Sequence, residues 1–155
     1  MLRGHRASRI TLFGIRGSPQ WGMTLTVDTI RVLIVDDDEH FAASLEAALE
    51  EDQRVRVIDS LRDGAEAVAR CVEARPDVVA MDIHMPAMDG VEATRRIREQ
   101  ETAAAVILIS GSMFEDARDL AYEAGATGYL TKAQCARELL PAILEAAQGV
   151  GGRSR

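Results

Sequence analysis

At 155 residues and 47% hydrophobic content, the chain is about one domain long and able to build one sizeable core. A formal net charge of -7 opposes binding to the phosphate backbone of nucleic acid and favours a cation or a protein as partner. Cys71 and Cys135 lack the paired spacing of a zinc or redox motif, and no apolar run is long enough to cross a bilayer. The expectations are packing cysteines, no membrane partner and a cytoplasmic setting.

Charge is unevenly spread along the chain. Arg3, Arg6, Arg9 and Arg16 all precede the first acid, Asp28. Residues 10–15 are too short an apolar stretch for a secretory leader. Residues 1–27 therefore read as a disordered extension, or as residues upstream of a natural start at Met23. The domain proper is expected over 28–148, with a flexible tail at 149–155.

From Ile30 the pattern becomes regular. Ile30, Val32, Leu33, Ile34 and Val35 form a β-branched run that stops at Asp36, Asp37 and Asp38, the signature of a buried strand ending at a polar edge. Phe41, Leu45, Ala48 and Leu49 then recur at helical spacing. A second strand is predicted over 54–58 and a second helix over 64–75, closed by Pro76. Val78, Val79, Ala80 and Met81 form a third strand ended by Asp82, and Asp89 with Glu92 has the spacing of a helix N-cap and its partner, opening a helix to about 101.

A fourth strand over 105–109 is almost free of polar residues and so must be covered on both faces, with Ser110, Gly111 and Ser112 beyond it. A helix over 114–124 stops at Gly125, a short fifth strand leads to Thr131 and Lys132, and a last helix runs to about 148. Five strand–helix repeats with two-sided apolar strands predict an α/β domain: a doubly wound parallel sheet covered by helices on both faces. The low aromatic content, 4%, agrees with helices packed closely on a sheet.

The functional crevice of an open α/β sheet lies beyond the carboxyl ends of its strands. Asp36, Asp37 and Asp38 lie there on the first strand, Asp82 on the third, Ser110 on the fourth and Lys132 on the fifth. Converging carboxylates repel one another unless a cation sits among them, and hard oxygen ligands suit Mg2+. A carboxylate nucleophile, a divalent cation, a hydroxyl and an ammonium are together the parts that phosphoryl transfer needs. Each alone has an ordinary reading as a helix cap, a turn serine or a solvated lysine. Their joint placement at the correct strand ends is what points to chemistry.

Val35-Asp36-Asp37, Met81-Asp82-Ile83-His84-Met85-Pro86 with Met88-Asp89-Gly90, Ile109-Ser110-Gly111 and Gly128-Tyr129-Leu130-Thr131-Lys132 resemble the response-regulator receiver domains of two-component signalling. The resemblance covers about residues 28–148. It implies a flavodoxin-like fold with strand order 2-1-3-4-5 and a phosphoprotein carrying its phosphoryl group on Asp82. The donor would be a histidine kinase, a histidine phosphotransfer protein or a small phosphodonor. It implies Mg2+ bound by Asp37, Asp82 and the backbone carbonyl of His84, with Asp36 acting through water and Asp38 as a helix-capping acid.

Ser110 and Tyr129 would form the switch, and helix four, strand five and helix five the output face toward a downstream protein target, with a phosphorylation-dependent homodimer as one outcome. His84 and Ser112 would tune loss of the phosphoryl group. Ala133, where many relatives carry proline, resembles receivers joined to helix-turn-helix output domains, although no such domain is read in this sequence. The chain would be no enzyme beyond its own phosphotransfer and dephosphorylation. The main rival is a receiver-like interaction scaffold that works without phosphorylation. A haloacid-dehalogenase-type phosphatase would expect an acid in place of His84, and a DNA-binding regulator would need the helix-turn-helix.

Overall fold

The computed structural model describes residues 28–111 and 115–149, together with the backbone of 9–14 and 21–26. β1 (Arg9–Gly14) and β2 (Trp21–Thr26) pair antiparallel, with Arg9 opposite Thr26 and Gly14 opposite Trp21, as a separate two-stranded sheet. Paired backbone thus stands over part of the span expected to be disordered. The β-branched, aromatic and long apolar residues of these two stretches favour extended backbone, a preference hidden by the surrounding glycines and arginines.

The domain follows as β3 (Ile30–Val35), α1 (Glu39–Glu50), β4 (Val55–Leu61), α2 (Gly64–Ala74), β5 (Val78–Asp82), α3 (Gly90–Glu99), β6 (Ala105–Ser110), α4 (Glu115–Glu123), β7 (Gly128–Thr131) and α5 (Lys132–Ala147). The five strands run parallel in the order β4-β3-β5-β6-β7, which is 2-1-3-4-5 counted within the domain. The predicted fold class and topology are therefore those observed.

Alternation along each central strand splits the core in two. Val32, Ile34, Val78, Ala80, Ile107 and Ile109 meet Leu45, Leu49, Leu139 and Ile143 of α1 and α5 on one face. Leu33, Val35, Val79, Met81, Val106 and Leu108 meet Ala67, Cys71, Ala93, Ile97 and Ala121 of α2, α3 and α4 on the other. Burying both sides of β3, β5 and β6 fixes the register of the sheet, since a one-residue slip would exchange the two faces. Cys71 and Cys135 are both buried and unpaired, burial raising each thiol to about 11, as suits packing residues.

Element boundaries differ from expectation where local hydrogen bonding decides. β4 continues to Leu61 because its register shifts against β3 between Val32 and Leu33. Asp59 and Ser60 are tolerated because this is an edge strand. α1 starts at Glu39 because Asp38 caps it, accepting from the backbone N–H groups of His40 (3.0 Å) and Phe41 (3.2 Å). Asp89 caps α3 in the same way through the Glu92 N–H at 2.8 Å. Arg98 of α3 then reaches the Gly125 and Ala104 carbonyls, each at 2.8 Å, and so ties the turn before β7 to the start of β6. Among the described residues, no helix is long and apolar enough to cross a membrane.

The entry to α3 bears directly on the crevice. The Gly90 N–H donates to the Ile83 carbonyl at 2.8 Å, and a Cβ at Gly90 would lie 2.3 Å from the Asp82 carbonyl oxygen and 2.9 Å from Ile83 Cα. Only backbone stands in the way, so nothing can rotate aside. Gly90→Ala is expected to lower the free energy of unfolding by about 3 kcal/mol, the upper part of the range for overpacking. Urea denaturation checks it, and an unchanged midpoint with an unchanged slope would contradict it.

Candidate functional site

Asp36 follows directly on β3. Its N–H donates to the Leu61 carbonyl at 2.9 Å, and its Oδ1 accepts from the Asp38 N–H at 2.8 Å, which turns the chain from strand into α1. Asp82 is the last residue of β5, and its Oδ1 accepts from the His84 N–H at 3.2 Å. The Ile83 N–H reaches the Ile109 carbonyl at 2.8 Å and holds the loop after β5 against β6. Asp36 and Asp82 are buried, at 3% and 4% exposure, whereas Asp37 is exposed. One carboxylate oxygen from each of the three lies within 4.8 Å of the others.

Ser110 ends β6 and is fully buried, paired in register with Thr131 of β7. Lys132 opens α5, and its Nζ stands 3.4 Å from Asp36 Oδ2 and 3.7 Å from Asp82 Oδ2. Four strand ends therefore contribute to one edge of the sheet. Gly111 leaves that edge open, since a Cβ there would first meet Lys132 Cδ, at 4.0 Å.

Burial raises the Asp82 carboxyl to about 6, helped by the Asp36 charge and opposed by Lys132. For Lys132, burial works against the ammonium, but the Asp82 and Asp36 carboxylates outweigh it, and the net direction is upward. Asp36 Oδ2 is buried and has no hydrogen-bond partner among the described residues, its ammonium neighbour being an ion-pair contact only. A buried carboxylate oxygen whose contact is one long ion pair, beside two more carboxylates of which one is exposed, belongs to a donor set that suits a hard divalent cation.

The remaining expected residues fall around this centre. The side chain of His84 is exposed, and its recorded contact with the site is through its backbone N–H. Tyr129, on β7, is half-buried and packs against the α2–α4 side of the core, with its hydroxyl oxygen buried and lacking a hydrogen-bond partner among the described residues. Ser112 lies outside the described residues. Phe41 was read from the sequence only as part of an amphipathic helix face. Its ring lies 4.5 Å from Lys132 Nζ, and its place in the first turn after the acidic triplet was the available signal.

The family profile described as the response regulator receiver domain matches residues 32–144. The chain belongs to that family. As a receiver of two-component signalling, it is 39% identical over 120 residues to the transcriptional regulatory protein LiaR of Bacillus subtilis, a match covering 77% of this chain and 57% of LiaR. The chain thus spans little more than half the length of that relative. The solved signal receiver domain of the response regulator NarL from Mycobacterium tuberculosis superposes with a TM-score of 0.76 at 32% identity, covering 79% of this chain and 98% of that one. A CheX-CheY complex from Borrelia burgdorferi solved with BeF3 and Mg2+ matches with a TM-score of 0.69 at 30% identity, over 75% and 87% of the two chains. The acidic cluster of this receiver, Asp36, Asp37 and Asp82, is one that could hold a metal ion.

Proposed function

We propose that the receiver takes a phosphoryl group on Asp82 in a Mg2+-dependent reaction and relays that state through a change of surface. The single observation that carries the proposal is the buried Asp82 carboxylate, clustered with the Asp36 and Asp37 carboxylates at one strand edge and with the Lys132 ammonium 3.7 Å away. An Asp82 carboxylate oxygen attacks the phosphorus of the donor. A P–O bond forms, and the P–N bond of a phosphohistidine breaks, its electron pair leaving with the imidazole.

Lys132 and the Ser110 hydroxyl meet phosphoryl oxygens as they spread, the first by charge and the second by donating a hydrogen bond. Asp37, Asp82 and the backbone carbonyl of His84 would hold the ion, with Asp36 acting through water. When bound, Mg2+ neutralises phosphoryl charge and orients its oxygens. The likeness to a chain of a CheX-CheY complex solved with BeF3 and Mg2+ supports Mg2+ as the ion for this cluster.

The output follows from Ser110 and Tyr129. A hydroxyl drawn toward the phosphoryl group leaves room behind it, and the Tyr129 ring fills that room and repacks α4, β7 and α5. A near-complete switch requires about 5.5 kcal/mol of preference for the active arrangement. Partners on this reading are a histidine kinase or phosphotransfer protein upstream and a protein target downstream. A homodimer of the phosphorylated form is one form that target can take, and the setting is cytoplasmic. The receiver catalyses only its own phosphoryl transfer and hydrolysis.

Phosphotransfer profiling against purified histidine kinases tests the reading. The expected result is radiolabel on the receiver with Mg2+ and none with chelator; no label from any kinase or from acetyl phosphate would favour a scaffold that works unphosphorylated. His84 lends a further prediction. An exposed imidazole two residues after the acceptor can assist the water that removes the phosphoryl group, so His84→Ala is expected to lengthen the phosphorylated lifetime by up to about tenfold. Because its backbone is retained, Mg2+ affinity should stay close to that of the parent. Equal lifetimes would refute the role.

A further inference from the structure

Lys132 is held less tightly than an ion pair between buried carboxylates would suggest. Its distances of 3.4 Å to Asp36 Oδ2 and 3.7 Å to Asp82 Oδ2 both exceed the roughly 2.7–2.9 Å of a charge-assisted hydrogen bond. A four-carbon stem can place its ammonium over a wide volume, so two long contacts do not fix its position. A third contact closes the set: the ammonium lies over the Phe41 ring, 4.5 Å from its centroid, inside the range of about 6 Å over which a cation is drawn to an aromatic face.

The backbone that carries the ring is itself fixed by the acidic turn. Asp36 Oδ1 accepts from the Asp38 N–H at 2.8 Å, and Asp38 Oδ1 accepts from the Phe41 N–H at 3.2 Å. The Phe41 carbonyl accepts from the Ser44 hydroxyl at 2.8 Å. Contacts therefore run from Asp36 to Asp38, to Phe41, to Lys132 and back to Asp36. The Asp triplet that supplies the carboxylates also sets the ring that steadies their counter-charge.

We infer that Phe41 is a positioning residue for phosphoryl transfer: its ring face holds the Lys132 ammonium between Asp36 and Asp82, where it meets the incoming phosphoryl oxygen. The inference rests on the acceptor reading of Asp82 given above. Phe41 also packs against the α1–α5 side of the core, a task that leucine can largely serve. What leucine lacks is the negative face of the ring. The role is thus separable from packing, because the ring's electrostatics can be altered while its shape is kept.

The test replaces Phe41 with mono-, di- and trifluorinated phenylalanine, which withdraws electron density from the ring face at nearly constant volume. Phosphorylation is followed from acetyl phosphate with Mg2+. The rate constant is expected to fall stepwise along the series, by about 3- to 10-fold in total. In the metal-free protein, the Lys132 Hε protons are expected upfield of their position in Phe41→Leu, as the ring current requires. A flat rate series in a protein whose parent is labelled normally would overturn the inference. So would Lys132 resonances that coincide in parent and leucine variant. A parent that takes up no phosphoryl group would overturn the acceptor reading and this inference with it, a failure distinct from a flat series.

Discussion

Asp82→Asn is expected to take up no phosphoryl group from acetyl phosphate while folding more stably than the parent in the absence of metal. The first effect is loss of the nucleophile, since an amide oxygen offers no charge to phosphorus. The second follows from the raised carboxyl. Burial, joined by the Asp36 charge, lifts Asp82 from 3.8 to about 6, so the folded state binds this proton more tightly than the unfolded chain does. Stability from this group is therefore highest below about pH 4, falls as pH rises to about 6, and stays reduced above that.

Lifting the carboxyl from 3.8 to about 6 corresponds to about 3 kcal/mol, and an asparagine has no such charge to bury. Thermal unfolding with chelator at acid and neutral pH reads the effect. The parent is expected to lose stability between the two conditions and the variant to lose much less. A variant that is labelled as well as the parent would remove Asp82 from the chemistry altogether.

Lys132→Met carries the second large effect. The ammonium stands 3.4 Å and 3.7 Å from the two buried carboxylates and is the positive side chain with recorded ion pairs to both. Removing it leaves Asp36 and Asp82 facing each other uncompensated and takes away the charge that meets the developing oxygens. A preorganised donor of this kind contributes about 10²- to 10³-fold to rate. A fall of about that size in the phosphorylation rate is expected, measured with saturating Mg2+ so that the cation site is filled in both proteins. A change smaller than about threefold would assign Lys132 to charge balance alone.

Much of this was legible in the residues themselves. Alternating apolar runs ending in Asp36, Asp82, Ser110 and Lys132 specify a two-sided parallel sheet, and the sheet brings those ends to one edge whatever the loops do. The Asp38 cap came with the receiver resemblance; the sequence alone left the three acids free to exchange roles, and the Asp38 contacts to the His40 and Phe41 N–H groups assign the cap. The extent of β4 was not readable, because Asp59 and Ser60 look like a turn until the register shift beside Val32 keeps them paired. The β1–β2 pairing was masked by glycines and arginines that resemble a structureless leader.

The contact between Phe41 and Lys132 was out of reach for another reason. It joins the first turn of α1 to the start of α5, and side chains so distant along the chain meet only after the sheet has set the two helices side by side. The Asp36–Asp38–Phe41 turn is local and periodic, but nothing in its spacing says what lies above the ring. Likewise, the burial of the Tyr129 hydroxyl depends on packing against the α2–α4 layer rather than on the strand pattern.

The most direct test of the central claim maps the acceptor chemically. The receiver is incubated with Mg2+ and acetyl phosphate, and the acyl phosphate is reduced with borohydride, which converts the phosphorylated aspartate to homoserine. Peptide mass spectrometry then locates the conversion. The account predicts homoserine at position 82 and unaltered aspartate at 36, 37 and 38; conversion at any of those three in place of 82, or at none of the four, would contradict it.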